Sequence, residues 1–331
     1  MQKLNFIPAL ISLAIILSLS QAITAAADDG VCRREADSFL SGMAENLQKH
    51  QTGAIRRAIA GDPADLENVR NSRNSVPELP AGVIRTYISD NLALFRSDRY
   101  ANDTIPLLIY LHGGGWTIGS INSCSRFCAA MADRGIAVLA VDYRLAPEHR
   151  FPAGLDDCIA AVKTAADSLG SWKCRGISVG GDSSGGNLAI ATALSLPENS
   201  FDGLVTFYPV TRAYPDGSPS WERFGLGYGL DSGLMKAFND AYTAVIHNPL
   251  VSPAEAADSQ LRKLPPVMLI SAERDILADQ GSEFITRLNR LGLKTEHHII
   301  PGSVHLFITV PGQKSAFDYS VSKAASFING L

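Results

Sequence analysis

The stretch Gly181-Asp182-Ser183-Ser184-Gly185 lies between an apolar run and a helix-like run, and it places a glycine two positions either side of one serine. Small residues at this spacing are typical of a sharp strand-to-helix turn that exposes the central hydroxyl. A glycine-rich phosphate loop is the competing interpretation, but neither Gly-Lys-Ser/Thr nor G-x-G-x-x-G fits this strand end. Ser183 is therefore a candidate nucleophile, which requires a base, an orienting acid and donors for an oxyanion.

Three consecutive glycines in "YLHGGGW", residues 110–116, directly follow a continuous apolar run. Glycines at the end of a buried strand expose backbone N–H groups with no side chain in the way. Such an HGGG element supplies oxyanion donors together with the N–H of the residue after the nucleophile, here Ser184. His112 precedes the glycines, and we interpret it as fastening the loop by hydrogen bonds rather than as a proton carrier.

The base and its orienting acid are expected after the nucleophile in chain order. Of the seven histidines, His305 lies just beyond the last predicted strand, whereas His297 and His298 lie inside it and point to opposite faces. Asp275 occupies the turn after "LISAE" and reaches the same edge of the sheet. Glu273 is the second candidate for the acid, and Asp279 is better placed to begin the next helix.

The elements that must bring these residues together alternate between strand and helix along most of the chain. This alternation predicts an α/β fold, with a mostly parallel sheet, helices on both faces and reactive groups at the carboxyl ends of the strands. The predicted strands are 82–90, 92–97, 105–115, 135–144, 176–182, 202–210, 265–273 and 295–302. The predicted helices that follow the third strand are 153–171, 183–196, 281–292 and 314–330.

The chain divides into a leader, a helical segment and a catalytic domain. Residues 28–78 repeat apolar positions at three- and four-residue spacings, so we predict an N-terminal helical cap segment. Residues 79–331 form the predicted catalytic domain. The part from about 211 to 259 interrupts the alternation with aromatic residues among glycines and prolines, and we predict that it is a cap insertion over the catalytic edge.

Residues 1–27 have the anatomy of a secretory signal peptide: one lysine, an uncharged apolar stretch and then Ala25-Ala26-Ala27 before two aspartates. A membrane anchor is the alternative, but the apolar part, residues 6–19, is short for a span of about 20 residues. We expect cleavage near residues 25–27 and no stable membrane insertion afterwards. The sequence thus predicts an exported protein, periplasmic or secreted.

Composition restricts the partners. The net charge of −4, without a stripe of lysine and arginine, argues against nucleic acid. Five cysteines permit two disulfides and one thiol, or fewer, and their pairing stays open. They contain no paired Cys-x-x-Cys of the kind that binds zinc. The sequence does not specify an oligomeric state.

Over roughly residues 80–331 the chain resembles the hormone-sensitive-lipase-like (bacterial family IV) esterases of the α/β-hydrolase fold. The resemblance rests on "HGGGW", "DYRLAPEHRFPAGLDD", "GDSSGGNLA", "NPLVSP", "LPPVMLISAERDILADQG" and "HLF", in the order of the family. It implies a helical cap over the α/β-hydrolase core. It also implies that Arg144 and Glu148 in the second motif form local ion pairs rather than contact substrate.

By this resemblance Ser183 is the nucleophile, Asp275 the orienting acid and His305 the base. The backbone N–H groups of Gly113, Gly114 and Ser184 would make the oxyanion hole. The family usually has alanine where this chain has Ser184, and glycine where it has Leu306, and both changes are expected to reshape the pocket wall.

The resemblance implies a serine carboxylesterase that hydrolyses small-molecule esters of short acyl chains, acetyl to about octanoyl, without cofactor or metal. A deacetylase of a sugar or polysaccharide, a peptidase and a non-catalytic small-molecule binder are the alternatives, because the fold alone does not decide function.

Overall fold

The computed structural model describes residues 29–331. The predicted signal peptide, residues 1–27, lies outside the described residues.

An eight-stranded sheet forms the centre of the described chain, in the order β1-β2-β4-β3-β5-β6-β7-β8. β1 pairs antiparallel with β2, and β2 with β4, whereas all later neighbours pair in parallel. The predicted α/β fold with a mostly parallel sheet is confirmed. The strands are β1 Val83–Ser89, β2 Leu92–Ser97, β3 Ile105–Leu111, β4 Ala137–Val141, β5 Cys174–Asp182, β6 Gly203–Phe207, β7 Val267–Arg274 and β8 Thr295–Val304.

Helices cover both faces of this sheet because its central strands are apolar on both sides. In β3, Leu107, Ile109 and Leu111 belong to one buried cluster, while Leu108 and Tyr110 belong to the other. The helices are α1 Asp29–Ser41, α2 Leu47–Ile59, α3 Ala64–Arg73, α4 Ile121–Ala132, α5 Ala153–Ser168, α6 Ser184–Ser195, α7 Pro219–Arg223, α8 Ser232–Tyr242, α9 Asp258–Leu261, α10 Ala278–Arg290 and α11 Lys314–Asn329. α5, α6 and α10 pack on the first face, and α4 and α11 on the second.

Helix α4 was not predicted from the sequence. Its start carries a signal: Ser120 is the N-cap, its side chain accepts a hydrogen bond from the Ser123 N–H, and the Ser123 hydroxyl accepts one from the Ser120 N–H. This reciprocal pair is a capping box with serine in place of the usual glutamate.

Helices from both segments predicted as caps lie above the catalytic edge, but helix α1 of the first segment lies elsewhere. α2 packs against α3 and against α8 of the 211–259 segment, above the carboxyl ends of the strands. Gln48 of α2 accepts a hydrogen bond from the Asp231 N–H at the start of α8, 2.6 Å away, which ties the two segments together. α1 instead packs against β8 and α11, where the Asp37 carboxylate accepts a hydrogen bond from Arg274.

All five cysteines are buried. The sulfur atoms of Cys124 and Cys128, one turn apart on α4, are 3.7 Å from each other, and neither forms a disulfide within residues 29–331. In the same part of the chain, no helix is long and apolar enough to cross a bilayer.

Candidate active site

Ser183 lies at the sharp turn between β5 and α6. Its backbone has φ 54° and ψ −118°, a conformation that L-residues rarely adopt. The turn is held by the Ser183 N–H, which donates to Phe207 O of β6 at 2.9 Å. A Cβ on either Gly181 or Gly185 would collide with Leu111 O of β3. Both flanking positions therefore require glycine because backbone passes directly against them.

His305 follows β8 and is buried beside Ser183. The Ser183 hydroxyl donates to His305 Nε2 at 3.1 Å. Gln313 holds the backbone of this loop: its amide donates to Val304 O and His305 O, and its oxygen accepts from the Val304 N–H. The ring of Tyr208 packs 4.3 Å from the imidazole. Neither Gln313 nor Tyr208 was identified from the sequence, because each contacts His305 only through the tertiary fold.

Asp275 lies beyond β7 and orients His305. His305 Nδ1 donates to Asp275 Oδ2 at 2.6 Å, and Asp275 Oδ1 accepts from the Leu277 N–H at 3.0 Å. The second candidate acid, Glu273, points elsewhere and accepts from the Gly302 N–H and from Arg33. The sequence placed Ser183, Asp275 and His305 at one edge of the sheet, and the structure brings these three side chains into one hydrogen-bonded chain.

The other polar candidates lie outside that chain. Asp279 accepts from the Ser220 N–H in the first turn of α10. The predicted opposite orientation of the two strand histidines is confirmed: His297 lies 3.2 Å from Ser271 Oγ, and His298 lies 3.0 Å from Tyr319 Oη of α11. Both are removed from the nucleophile.

The glycine loop after β3 differs from the prediction at one position. The Gly113 N–H donates to Asp182 Oδ1 at 3.0 Å. An N–H has a single hydrogen, so the predicted oxyanion donor Gly113 is already engaged. Gly114 and Gly115 line the cavity beside Ser183, and within residues 29–331 no acceptor is found for their N–H groups or for that of Ser184. The oxyanion donors are thus better assigned to Gly114, Gly115 and Ser184.

Asp182, next to the nucleophile, connects the turn that carries Ser183 to the glycine loop after β3. It is fully buried, and besides the Gly113 N–H it accepts a hydrogen bond from the Tyr110 hydroxyl at 2.9 Å. Burial raises the pKa of Asp182 to about 6, although both hydrogen bonds and the nearby His305 favour its charged form. Its carboxylate holds the glycine loop through the Gly113 N–H, while burial disfavours the charged form that does so. From the sequence, Asp182 was recognisable only as part of the glycine motif.

His112 fastens the loop, as predicted. Its Nδ1 donates to Gly113 O at 2.9 Å, its ring stacks on Tyr143 at 4.3 Å, and burial lowers its pKa, which favours the neutral form. The Tyr143 hydroxyl donates to His112 O at 2.6 Å.

The expected local ion pairs are also present. Arg144 pairs with Asp157 at 2.9 Å, and Glu148 pairs with Arg70 of α3 at 2.8 Å. Neither Arg144 nor Glu148 lines the cavity at Ser183.

A cavity of about 60 Å³ opens beside Ser183 and His305. Gln51 of α2 and Phe238 of α8 line it, so both cap segments form its walls. Leu306 also lines it and has φ 77°, a left-handed conformation that is favourable for the family's glycine and strained for leucine.

Comparison with known proteins identifies relatives of this chain. Residues 108–309 match the family model described as alpha/beta hydrolase fold. The ethyl acetate hydrolase of Pseudomonas putida is 36% identical over 61% of this chain and 65% of its own length. Lipase 2 of a Moraxella species is 32% identical over 91% of this chain and 72% of its own length.

Solved structures give the same fold. A thermostable esterase from Pseudomonas putida ECU1011 superposes with a TM-score of 0.73 at 24% identity, covering 89% of this chain and 94% of that one. A solved arylesterase has a TM-score of 0.68 at 27% identity, covering 83% and 96%.

The chain belongs to the α/β-hydrolase fold family, and within it to the hormone-sensitive-lipase-like esterases. Its match spans slightly less than two thirds of the ethyl acetate hydrolase.

Proposed function

We propose that this protein is an exported serine carboxylesterase that hydrolyses small-molecule esters of short acyl chains, acetyl to about octanoyl. The observation that carries the proposal is the chain of hydrogen bonds from Ser183 through His305 to Asp275, 3.1 and 2.6 Å long, beside backbone N–H groups for which residues 29–331 offer no acceptor. The names of the relatives, which include lipase, arylesterase and ethyl acetate hydrolase, support ester hydrolysis. The small volume beside Ser183 supports a short acyl group.

The reaction proceeds in two acyl-transfer steps. Ser183 Oγ attacks the ester carbonyl carbon while His305 Nε2 takes its proton, and the carbonyl oxygen becomes an oxyanion that the N–H groups of Gly114, Gly115 and Ser184 stabilise. The C–O bond to the alcohol breaks as His305 returns the proton to the leaving oxygen, which gives an acyl-enzyme. Water, activated by His305 in the same way, releases the carboxylic acid. Asp275 fixes the imidazole tautomer and stabilises its charged form.

Para-nitrophenyl esters from acetate to palmitate test this function on the purified mature chain. Ser183→Ala is expected to reduce kcat by at least about 10³-fold, because the nucleophile is lost. Ser184→Ala is the matched control: it removes the adjacent hydroxyl, keeps the backbone N–H, and is expected to retain activity within about tenfold.

Mass spectrometry after reaction with an organophosphate is expected to place the adduct on Ser183. No turnover of any ester by the wild type, or equal turnover by wild type and Ser183→Ala, would contradict the proposal and favour a binding protein.

Export is tested separately. The full-length chain is expressed in bacterial cells, and the protein in the medium or periplasm is analysed by intact mass. Removal of about 25–27 residues is expected from the leader sequence. Full-length protein confined to the cytoplasm would contradict this part of the proposal.

A further inference from the structure

Arg73, the last residue of α3, lies at the catalytic cavity and has no counter-ion among residues 29–331. It lines the cavity together with Ser183 and His305, and it is only partly accessible. Within residues 29–331 its guanidinium has no hydrogen bond, ion pair or ring contact. Burial lowers the pKa of Arg73, and no neighbouring carboxylate opposes that shift. Placing a charge in such surroundings is unfavourable unless a ligand compensates it.

A groove of about 550 Å³ continues from this cavity. Arg73, Ser123 and Thr309 line both, so the two volumes meet at Arg73. The groove then runs between α4 and residues 75–80, past the serine and asparagine side chains of α4.

A second arginine, Arg126 of α4, lies along the same groove. Its guanidinium carbon lies 3.5 Å from the ring centroid of Phe317, and its buried Nη1 has no hydrogen-bond partner in the described part of the chain. The charge of Asp318 favours the charged form of Arg126, but that carboxylate is bonded to Lys314. The groove thus holds two arginines with unused hydrogen-bonding capacity.

Few acidic groups line the cavity and the groove. In the cavity, Asp182 is the one acid among the lining residues within 29–331, and its Oδ1 accepts hydrogen bonds from Tyr110 and Gly113. In the groove, the exposed Glu78 is the one acid among the lining residues that the structure describes.

We propose that this groove binds an anionic group on the alcohol part of the ester, with Arg73 and Arg126 as its recognition residues. The inference rests on the proposed esterase function and specifies its substrate class: a short acyl group in the small cavity at Ser183, and an alcohol that bears a carboxylate or a phosphate in the groove. The guanidinium fork suits both anions, because each offers two oxygens for paired hydrogen bonds.

The test compares matched acetate esters. 3-Carboxyphenyl acetate, 3-(phosphonooxy)phenyl acetate and the neutral 3-carbamoylphenyl acetate are assayed for kcat/KM with the wild type, Arg73→Gln and Arg126→Gln. Arg99→Gln is the control, since Arg99 lies in the short turn after β2, pairs with Asp133 and is outside the groove. Comparing each anionic-to-neutral ratio between variant and wild type removes differences in intrinsic reactivity.

Arg73→Gln is expected to lower the anionic-to-neutral ratio about tenfold to a hundredfold, as the loss of a hydrogen bond to a charged group predicts. A general loss of turnover in Arg73→Gln affects the anionic and the neutral ester alike and cancels in the ratio, and Arg99→Gln is expected to leave the ratio unchanged. The anion with the larger wild-type ratio identifies the substrate's charged group. Arg73→Lys, which keeps the charge but not the fork, is expected to give an intermediate ratio, and it provides the same test if Arg73→Gln fails to fold.

Two further measurements extend the test. Glu78→Gln is expected to raise the ratio, because it removes a like charge from the groove. The wild-type preference is expected to fall between about 0.01 and 1 M salt, as the screening length shortens from about 30 to 3 Å. Ratios that are unchanged in Arg73→Gln, Arg73→Lys and Arg126→Gln would overturn the inference.

Failure of the esterase function is recognised independently. If no ester is hydrolysed by the wild type in a Ser183-dependent manner, calorimetry with 3-hydroxybenzoate and 3-hydroxybenzamide tests the groove alone. Tighter binding of the acid, lost in Arg73→Gln, would support the groove, and equal affinities would overturn it.

Discussion

Asp182→Asn separates the role of the buried carboxylate from that of the nucleophile beside it. Both hydrogen bonds to Asp182, from the Tyr110 hydroxyl and the Gly113 N–H, go to Oδ1. An asparagine with its oxygen in that place keeps both bonds and removes only the charge. The substitution therefore tests whether a charge at this position destabilises the fold while it helps to hold the glycine loop.

The magnitude follows from the pKa of Asp182, which burial raises from 3.8 to about 6. Between these two values the folded chain binds more protons than the unfolded chain, so this carboxyl group stabilises the fold at low pH and loses that contribution as pH rises through about 6. A difference of about 2 pH units corresponds to about 3 kcal/mol. About half of this change is expected above pH 5.

Urea unfolding of wild type and Asp182→Asn between pH 4 and 8 measures the effect. The free energy of unfolding of the variant, relative to the wild type, is expected to rise by about 2.5 kcal/mol between pH 4 and 8, because part of the full change lies below pH 4. Asp202→Asn is the matched control, because Asp202 is exposed and also accepts a backbone hydrogen bond, from Ile177. A relative stability of Asp182→Asn that does not change with pH would refute the reasoning.

The same variant is expected to lose activity while it gains stability. A hydrogen bond to a charged acceptor is stronger by about 1 kcal/mol than a neutral one, so the weaker hold on Gly113 is expected to reduce kcat by about fivefold to tenfold. Unchanged kcat would show that the charge of Asp182 does not position the loop.

Three further substitutions probe other parts of the site. Gly115 has φ 59°, and the Cβ that Gly115→Ala introduces collides with the ring of Phe238. The displaced loop is expected to lower kcat by about 10²-fold or more. Gly170→Ala is the control, because its Cβ enters open space, and it is expected to leave kcat unchanged. Gln313→Met removes the three hydrogen bonds that hold Val304 and His305, and it is expected to cost about 2 kcal/mol in urea unfolding and to lower kcat. Leu306→Gly relieves the left-handed strain but adds backbone freedom, so stability is expected to change by less than about 1 kcal/mol, while the hexanoate-to-acetate ratio of kcat/KM rises because the cavity wall recedes.

The placement of Ser183, Asp275 and His305 was predictable because each directly follows a strand of a parallel sheet. Parallel strands joined by helices end at one edge, so the chain order of three strand ends largely determines which side chains meet. His297 and His298 were excluded because they lie inside a strand, where successive side chains point to opposite faces of the sheet. Local pattern was sufficient wherever a residue's position depends on one strand and its neighbours.

The oxyanion donors were not predictable to the residue. The three glycines are equivalent in sequence, and what distinguishes Gly113 is the Asp182 carboxylate, which arrives from a different strand. Whether the cysteines form disulfides depends in the same way on side-chain geometry within the fold. These features arise from contacts between elements, which periodicity does not encode.

The position of Arg73 was likewise not predictable from the sequence, because α3 precedes the sheet and no strand determines where this helix ends. Arg70, one turn earlier, provides the anchor: its guanidinium donates to Thr117 O, Ala146 O and the Glu148 carboxylate at 2.8 to 2.9 Å. These acceptors lie in the loops after β3 and β4, at the catalytic edge. Because Arg70 is fully paired there while Arg73 has no partner within the described residues, the same helix end holds one arginine for structure and leaves the other available for a ligand.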